Sequence, residues 1–476
     1  MYKFKFYAAL LFIGTCAMGC ADSAEKPSRD AYIGGQIINP TSKYVIFLKD
    51  NLEIDTVYLD QKNRFQLKIR DVEQGLYSFK HLPETQFFYL LPGDSLLMRV
   101  NSIEFDESLH FSGTGSERNN YLLESFLLNE SYTNLLLSYH ESSPEAFAKK
   151  TDSLENKQLA RLKELDKKHN FSKEFMSYAQ KSASYDAMDL RERYTYLINK
   201  YYKKFSDQLT DEFYCYRKDI DFNDPILQTS PSYLRFVDSY LINKAMDTCA
   251  KANLDHDDCY DLYDHGNITT RIKLLDSLTT LPLVKQHFFR KLGALGIVMA
   301  KNREEIVSIL DLVEEKGYPE NELQKLYSVG NIQLAYLPGM NVSQVELADI
   351  SGNKKPFKDI TGSKPVVVFL WSIFSTDNHR KNHKIIRDLR SKYPEVQFIG
   401  INIDAQNNFN WKRTVRKFGY DQENEFQLIT TRIGPDAFQY YLNKSLFIDP
   451  KAEVVIGNAY INSPQFESEI LEFLNR

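Results

Sequence analysis

The sequence predicts a multidomain α+β protein with an N-terminal antiparallel β-sandwich-like domain, a central α-helical domain and a C-terminal α/β domain. Three observations lead to this prediction. Short apolar runs recur at nearly even spacing up to residue 115. Long runs with apolar residues at helical spacing follow to residue 336, and apolar runs then alternate with helical stretches to the end. The chain has 476 residues, a length typical of several domains of about 100–200 residues each.

Residues 1–19 are predicted to be a signal peptide. Two lysines supply a positive start, and Phe6–Gly14 is an apolar run too short to cross a bilayer. The stretch Ala17-Met18-Gly19-Cys20 resembles the lipobox of bacterial lipoproteins, which implies cleavage after Gly19 and lipidation of Cys20. An ordinary secretory signal that is cut nearby is the alternative. Residues 20–30 are expected to form a tether.

Residues 31–115 predict the β-sandwich-like domain. Seven short apolar runs are separated by turn signals such as Asn-Pro, Lys-Asn and Pro-Gly-Asp. Even spacing with such turns is typical of a small antiparallel sandwich or barrel.

Residues 116–336 predict the helical domain. Ser143-Pro144 and Ser230-Pro231 are expected helix starts, with Ser as the N-cap and Pro at the first helical position. Glu145–His169 and Ser172–Phe205 carry apolar residues at helical spacing.

Three cysteines lie beyond Cys20, namely Cys215, Cys249 and Cys259. Outside the cytoplasm, Cys249 and Cys259 could pair across a short loop and leave Cys215 over. Buried, unpaired thiols are an equally acceptable interpretation.

Residues 337–476 predict a βαβ core with a parallel element. The expected elements are a hairpin with Ser351-Gly352 in its turn, the buried strand PVVVFLW, a helix over Asn378–Tyr393, the strand VQFIGINID, a helix over Asn410–Phe418, two strands around Pro450-Lys451 and a final helix over Gln465–Leu474.

This last segment resembles the TlpA-like branch of the thioredoxin family, the membrane-tethered thiol–disulfide oxidoreductases. Trp371 and Phe374 fit the two aromatic positions of the Phe-Trp-Ala-x-Trp-Cys-x-x-Cys motif, and Ser375 and Asn378 stand where its cysteines belong. FIGINID and LFIDPKAEVV resemble the family's next strand and its later hairpin. The resemblance implies a thioredoxin-like fold in a Gram-negative cell-envelope protein.

The active-site pattern is degenerate. Thiol–disulfide exchange needs a thiolate and a resolving thiol, which Ser375 and Asn378 cannot supply. The resemblance also implies a cis-proline, whose position falls on Asn443. A cis bond without proline costs about 3 kcal/mol or more, so we expect a trans bond there. No catalytic residue is therefore predicted. A thiol–disulfide oxidoreductase that acts through non-standard cysteines is the rival hypothesis.

The helix after Ser375 is rich in basic residues. Ser375 is a suitable N-cap, and a helix start with Arg380, Lys381 and Lys384 near it is a candidate anion-binding site. A solvated basic face is the competing interpretation.

A metal site is not predicted. His379 and His383 are four residues apart and share a helix face, but the basic surroundings disfavour a cation. The Asp-rich loop over Asn253–Asn267 lacks the register of a calcium loop. No cofactor is expected either.

These patterns together predict a lipid-anchored protein of the cell envelope, in the periplasm or at the outer membrane. A redox-inactive thioredoxin-like domain would bind or scaffold a protein or a small anionic ligand. The partners expected are the membrane, through the N-terminal lipid, and an envelope protein. The net charge of −5 shows no footprint of nucleic-acid binding.

Lipidation of Cys20 is directly testable. Metabolic labelling with an alkynyl fatty acid should mark the wild-type protein and be lost in Cys20→Ala, because the lipid is attached through that sulfur. Equal labelling of both proteins would exclude a lipid on Cys20.

Overall fold

The computed structural model describes residues 29–252, 258–362, 364–405, 407–429 and 435–476. Within them the protein is mixed α/β, as the sequence predicts, with two four-stranded sheets, a group of helices and a seven-stranded sheet in chain order. The predicted signal peptide, Cys20 and most of the tether lie outside the described residues. No helix in these five ranges combines the length and the apolar character needed to cross a membrane.

The N-terminal segment contains two sheets with strand orders β4-β1-β7-β8 and β3-β2-β5-β6. Its elements are β1 Ala31–Ile38, β2 Tyr44–Lys49, β3 Leu52–Tyr58, β4 Arg64–Ile69, β5 Gly75–His81, β6 Glu84–Leu90, β7 Ser95–Asn101, α1 Phe105–Ser108 and β8 His110–Thr114. Phe65 and Phe111 from one sheet and Phe47, Phe79 and Phe88 from the other share one core. The two sheets therefore form a sandwich.

One feature of the predicted sandwich is wrong. β1 and β7 pair in parallel, so the sandwich is not purely antiparallel. A tight turn forces consecutive strands to be antiparallel, but five strands separate β1 from β7. Their relative direction is set by the way the chain crosses between the sheets, which the local pattern does not reveal.

Helices make up most of the middle of the chain. They are α2 Ser116–Ser131, α3 Thr133–Leu137, α4 Pro144–His169, α5 Lys173–Tyr201, α6 Pro231–Lys251, α7 His265–Leu278, α8 Pro282–Met299, α9 Arg303–Glu315 and α10 Glu320–Tyr336. The Ser143 hydroxyl accepts from the N–H of Ala146 at 3.3 Å, as an N-cap should. α6 begins at Pro231 as predicted, but the Ser230 side chain makes no capping bond.

A disulfide closes the end of α6. Cys249 and Cys259 are bonded, with their Cα atoms 5.6 Å apart. Cys215 is exposed and carries no disulfide to another described residue. Residues 253–257 of the predicted Asp-rich loop lie outside the described ranges.

The C-terminal sheet has the order β10-β9-β13-β12-β11-β14-β15. The elements are β9 Glu346–Ala348, β10 Lys354–Pro356, α11 Phe357–Ile360, β11 Val366–Trp371, α12 Thr376–Lys392, β12 Gln397–Asn402, α13 Asn408–Phe418, β13 Glu425–Leu428, α14 Pro435–Phe438, β14 Lys444–Ile448, β15 Val454–Tyr460 and α15 Phe466–Leu474. β11, β12 and β13 are parallel to one another. β14 is antiparallel to β11, and β15 is antiparallel to β14. The parallel strands β11 and β12 with α12 between them form the βαβ unit that the sequence predicts.

Helices and other side chains cover both faces of the seven-stranded sheet. Val367, Phe369 and Trp371 pack with residues of α12, α13 and α15. Val366 and Leu370 belong to a core that continues into the central helices. All six residues of β11 are therefore buried, which explains the unbroken apolar run in the sequence.

Lys444 is buried where β14 meets the central helices. Its ammonium group donates to the carbonyl oxygen of Val298 and, at 2.8 Å, to the side-chain oxygen of Gln333. The Tyr336 and Tyr441 rings lie 5.7 and 5.5 Å away. No carboxylate within the described ranges forms an ion pair with it, so burial lowers the pKa of Lys444 from 10.5 to about 7.

This buried amine should make stability depend on pH. Between about pH 7 and 10.5 the unfolded chain holds the proton that the folded chain has released, so the free energy of unfolding rises with pH across that window. Below pH 7 Lys444 is protonated in both the folded and the unfolded chain, so the full cost of burying its charge lowers the free energy of unfolding.

The variant Lys444→Met should lose this contribution. Chemical unfolding at several pH values should show a rise between pH 7 and 10 that is roughly 2–4 kcal/mol smaller than in the wild type. Lys157→Met, at an exposed position on α4, is the control and should keep the wild-type rise. An unchanged rise in Lys444→Met would show that the amine stays protonated in the folded protein.

Candidate functional site

The loop between β11 and α12 carries the degenerate motif, and Asp404 holds it in place. The Ser372 hydroxyl donates to one oxygen of Asp404 at 2.9 Å, and the N–H of Ile373 donates to the other at 2.7 Å. The Asn402 amide donates to the second oxygen at 2.8 Å. Burial raises the pKa of Asp404, and these donors oppose the rise. The end of β12 thus fixes the loop that follows β11.

Ser375 occupies the N-cap position of α12 but does not act as predicted there. Its side chain makes no capping bond to the helix. The Ser375 carbonyl accepts from the N–H of His379 at 2.9 Å, which is the first hydrogen bond of the helix. The prediction of a side-chain cap was wrong, and Ser375 lines a cleft beside the helix start.

The structure brings together the two positions that were matched to a cysteine and to the cis-proline. The Asn378 amide donates to the side-chain oxygen of Asn443 at 2.6 Å. Asn382 and Asn462 extend this contact as a chain of carboxamides, with bonds of 3.3 and 3.4 Å. The peptide bond before Asn443 is trans. A chain of hydrogen-bonded amides thus joins Asn378 and Asn443 at the start of α12.

Beneath the first turns of α12 lies a buried polar network that the sequence did not reveal. Glu425, fully buried, accepts from the indole N–H of Trp371 at 2.9 Å and contacts Nε2 of His383 at 3.1 Å. Nδ1 of His383 lies 2.6 Å from the carbonyl oxygen of His379. Both ring nitrogens of His383 thus lie within hydrogen-bonding distance of an oxygen atom, which fixes the orientation of the ring.

Tyr420 completes the network. Its ring stacks on His383 with centroids 3.5 Å apart, and its hydroxyl shares a 2.6 Å hydrogen bond with Nδ1 of His379. Burial, with the nearby His383 as a second cause, lowers the pKa of His379 to about 4, so this histidine is neutral. The backbone is fitted to the same network, since a Cβ on Gly400 would lie 2.5 Å from a Glu425 oxygen.

The two histidines therefore belong to the core. They share one face of α12 as their spacing predicts, and that face is buried. Across the described residues no cluster of three or more His, Cys, Asp or Glu side chains could hold a metal ion. The sequence offers one sign of the buried network, an acid (Glu425) in the short run EFQL. Its partners Trp371 and His383 come from distant segments, so the run alone could not identify them.

The basic residues point away from this core. Arg380, Lys381 and Lys384 are exposed, and the Arg380 guanidinium lies 5.8 Å from the Phe418 ring centroid. None of the three lines the cleft that contains Ser375. The structure thus places the candidate anion-binding cations on one helix but does not gather them around the Ser375 side chain.

A cleft of about 350 Å³ opens beside the degenerate motif. The turn between β5 and β6 forms one wall, and the loops after β11, β12 and α14 form the others. The lining residues are Leu82, Pro83, Ser372, Phe374, Ser375, Ile403, Asp404, Ala405, Asn407, Gln439 and Leu442. The lining contains no cysteine, lysine or arginine, so the cleft offers apolar side chains, hydroxyls, amides and one half-buried acid.

No protein-family model matches this chain, and no curated protein matches it. Several solved structures are similar to part of it. The thioredoxin domain of a thiol-disulfide oxidoreductase from Bacteroides vulgatus has 17% identity and a TM-score of 0.24, covering 29% of this chain and 98% of that one. A thiol-disulfide oxidoreductase from Bacteroides fragilis NCTC 9343 has 13% identity and a TM-score of 0.23, covering 28% and 98%. A SCO1/SenC family lipoprotein from Bacillus anthracis str. Ames has 16% identity and a TM-score of 0.24, covering 29% and 95%.

Proposed function

We propose that this protein is a cell-envelope lipoprotein whose thioredoxin-like domain binds a protein partner without redox chemistry. The observation that carries the proposal is the contact between Asn378 and Asn443. It joins two of the positions on which thiol exchange would depend, and neither residue carries sulfur. A fold can persist without its chemistry, and these positions offer no thiol for the exchange reaction that the resemblance implies.

The rival proposal, an oxidoreductase with non-standard cysteines, finds less support. Cys259 is 2% exposed and is bonded to Cys249, so neither sulfur is a ready nucleophile. Cys215 is exposed, but it lies in a short turn of the central helical segment and outside the cleft. A lone exposed thiol without a resolving partner does not complete a cycle of disulfide exchange.

The lining of the cleft favours a protein segment over a small anion. Leu82, Phe374 and Leu442 provide apolar contacts, and the lining includes amides that can bond to a peptide backbone. The single ionisable lining group is an acid, Asp404, which would repel an anion when charged. An uncharged or apolar stretch of a partner protein suits these walls.

Two features support placement in the envelope. The start of the sequence carries the signal-peptide pattern that ends at Cys20. The disulfide between Cys249 and Cys259 is a bond that persists in oxidising compartments and is rare in the cytosol. Lipidation would tether the protein to a membrane and leave the cleft available to a neighbouring envelope protein.

Photo-crosslinking in intact cells tests the cleft. p-Benzoylphenylalanine inserted at Phe374, a lining position, should yield discrete protein adducts on illumination. The added substitution Ala405→Trp places a large ring at another lining position of the cleft and should remove those adducts, because the partner segment is displaced.

The matched control inserts the same amino acid at Ile103, which is 75% exposed on the sandwich and away from the cleft. It should give none of these adducts. Identical adducts from Ile103, or adducts from Phe374 that survive Ala405→Trp, would exclude the cleft as the binding site.

A further inference from the structure

The two helices α12 and α13 form one outer layer on the C-terminal sheet. Ile386 of α12 and Trp411 and Val415 of α13 pack in the same core against one face of β11. The helices also meet directly, because the His379 and Phe418 rings lie 5.3 Å apart. Their outward sides therefore belong to one continuous surface.

That surface is strongly basic in a protein of net charge −5. α13 carries four Lys and Arg residues and no acid. We call the exposed cations of both helices the basic face: Arg380, Lys381, Lys384, Arg387, Arg413, Arg416 and Lys417.

The cations of the basic face lack acidic partners. On α12 the ion pairs are those of His383, Arg390 and Lys392, none of which belongs to the face. Among the residues that the structure describes, none of the seven cations has a carboxylate oxygen within 4.0 Å. Elsewhere, exposed lysines such as Lys149 and Lys168 pair with an acid on their own helix. α12 also carries two exposed acids, Asp377 and Asp388, so the outward sides of the two helices hold seven exposed cations against two acids and remain net positive.

An exposed aromatic residue lies on the same layer. Phe409, in the first turn of α13, is 76% exposed, and the Arg413 guanidinium lies 5.9 Å from its ring centroid. An exposed apolar ring beside cations suits a membrane surface, where the ring can enter the headgroup region while the cations meet phosphates.

We propose that the basic face docks onto a bilayer that contains anionic phospholipids. The charge is complementary to phosphate headgroups, and its spread over two adjacent helices suits a flat array of charges rather than a single small anion. An acidic polysaccharide would satisfy the cations but leave Phe409 in water, whereas a bilayer satisfies both. This contact goes beyond the proposed function, because it does not involve the cleft.

Vesicle binding tests the proposal. All proteins compared lack the predicted signal peptide, residues 1–19, and carry Cys20→Ala, so that neither the apolar N-terminal run nor a lipid on Cys20 contributes. The probes are vesicles of phosphatidylcholine with an equal part of phosphatidylglycerol, and vesicles of phosphatidylcholine alone. The protein should bind the anionic vesicles far more tightly, and added salt should weaken that binding.

Charge reversal assigns the binding to the face. Arg380→Glu, Lys384→Glu, Arg413→Glu and Arg416→Glu together should reduce affinity for anionic vesicles at least about a hundredfold, since each cation near such a surface contributes about one kcal/mol. Phe409→Ser should reduce affinity by about tenfold and leave the salt dependence intact.

The matched control reverses four exposed lysines of α4 that have no acidic partner among the described residues: Lys150→Glu, Lys157→Glu, Lys163→Glu and Lys167→Glu. It changes the net charge equally and should lose far less affinity. Equal losses in both variants, or equal binding to the two kinds of vesicle, would overturn the proposal. Binding to immobilised dextran sulfate without binding to anionic vesicles would overturn it as well. A thermal melt confirms that each variant is folded.

Discussion

Burial of β11 on both faces is the constraint on which the C-terminal half of the structure depends. Alternate side chains of this strand enter two different cores, one under α12, α13 and α15 and one shared with the central helices. The strand therefore cannot shift without disturbing both. Its last residue, Trp371, also donates to Glu425, and the loop that starts after it is held by Asp404. The position of the degenerate motif follows from these contacts.

The sequence could predict the elements whose signal is local. The seven runs of the sandwich, the hairpin around Ser351-Gly352 and the helix that starts at Pro144 follow from turn residues, caps and periodicity. The parallel pairing of β1 with β7 could not be predicted, because it depends on how the chain crosses between sheets. Strand β13 was not predicted from the sequence, for another reason. Glu425 and Gln427 give it a polar composition, and both are buried only because distant residues satisfy them.

The candidate site was predictable in part. Motif spacing assigned the degenerate positions to Ser375, Asn378 and Asn443, an assignment that stays a prediction, and the structure adds the hydrogen bond between the two asparagines. The wall that Leu82 and Pro83 contribute comes from the sandwich, far earlier in the chain, so no local pattern could reveal it. Helical spacing placed the two histidines on one face. It could not show that this face is buried while Arg380 and Lys384 remain outside.

The central claim is that a thioredoxin-like scaffold here works without thiol chemistry. The buried network of Trp371, His383 and Glu425 holds the start of α12, and the Asn378 amide, at one of the predicted cysteine positions, donates to Asn443. Insulin reduction by the purified protein, with dithiothreitol as the electron donor, tests this claim most directly. The account predicts the rate of dithiothreitol alone. A faster rate that disappears in Cys215→Ser would contradict it.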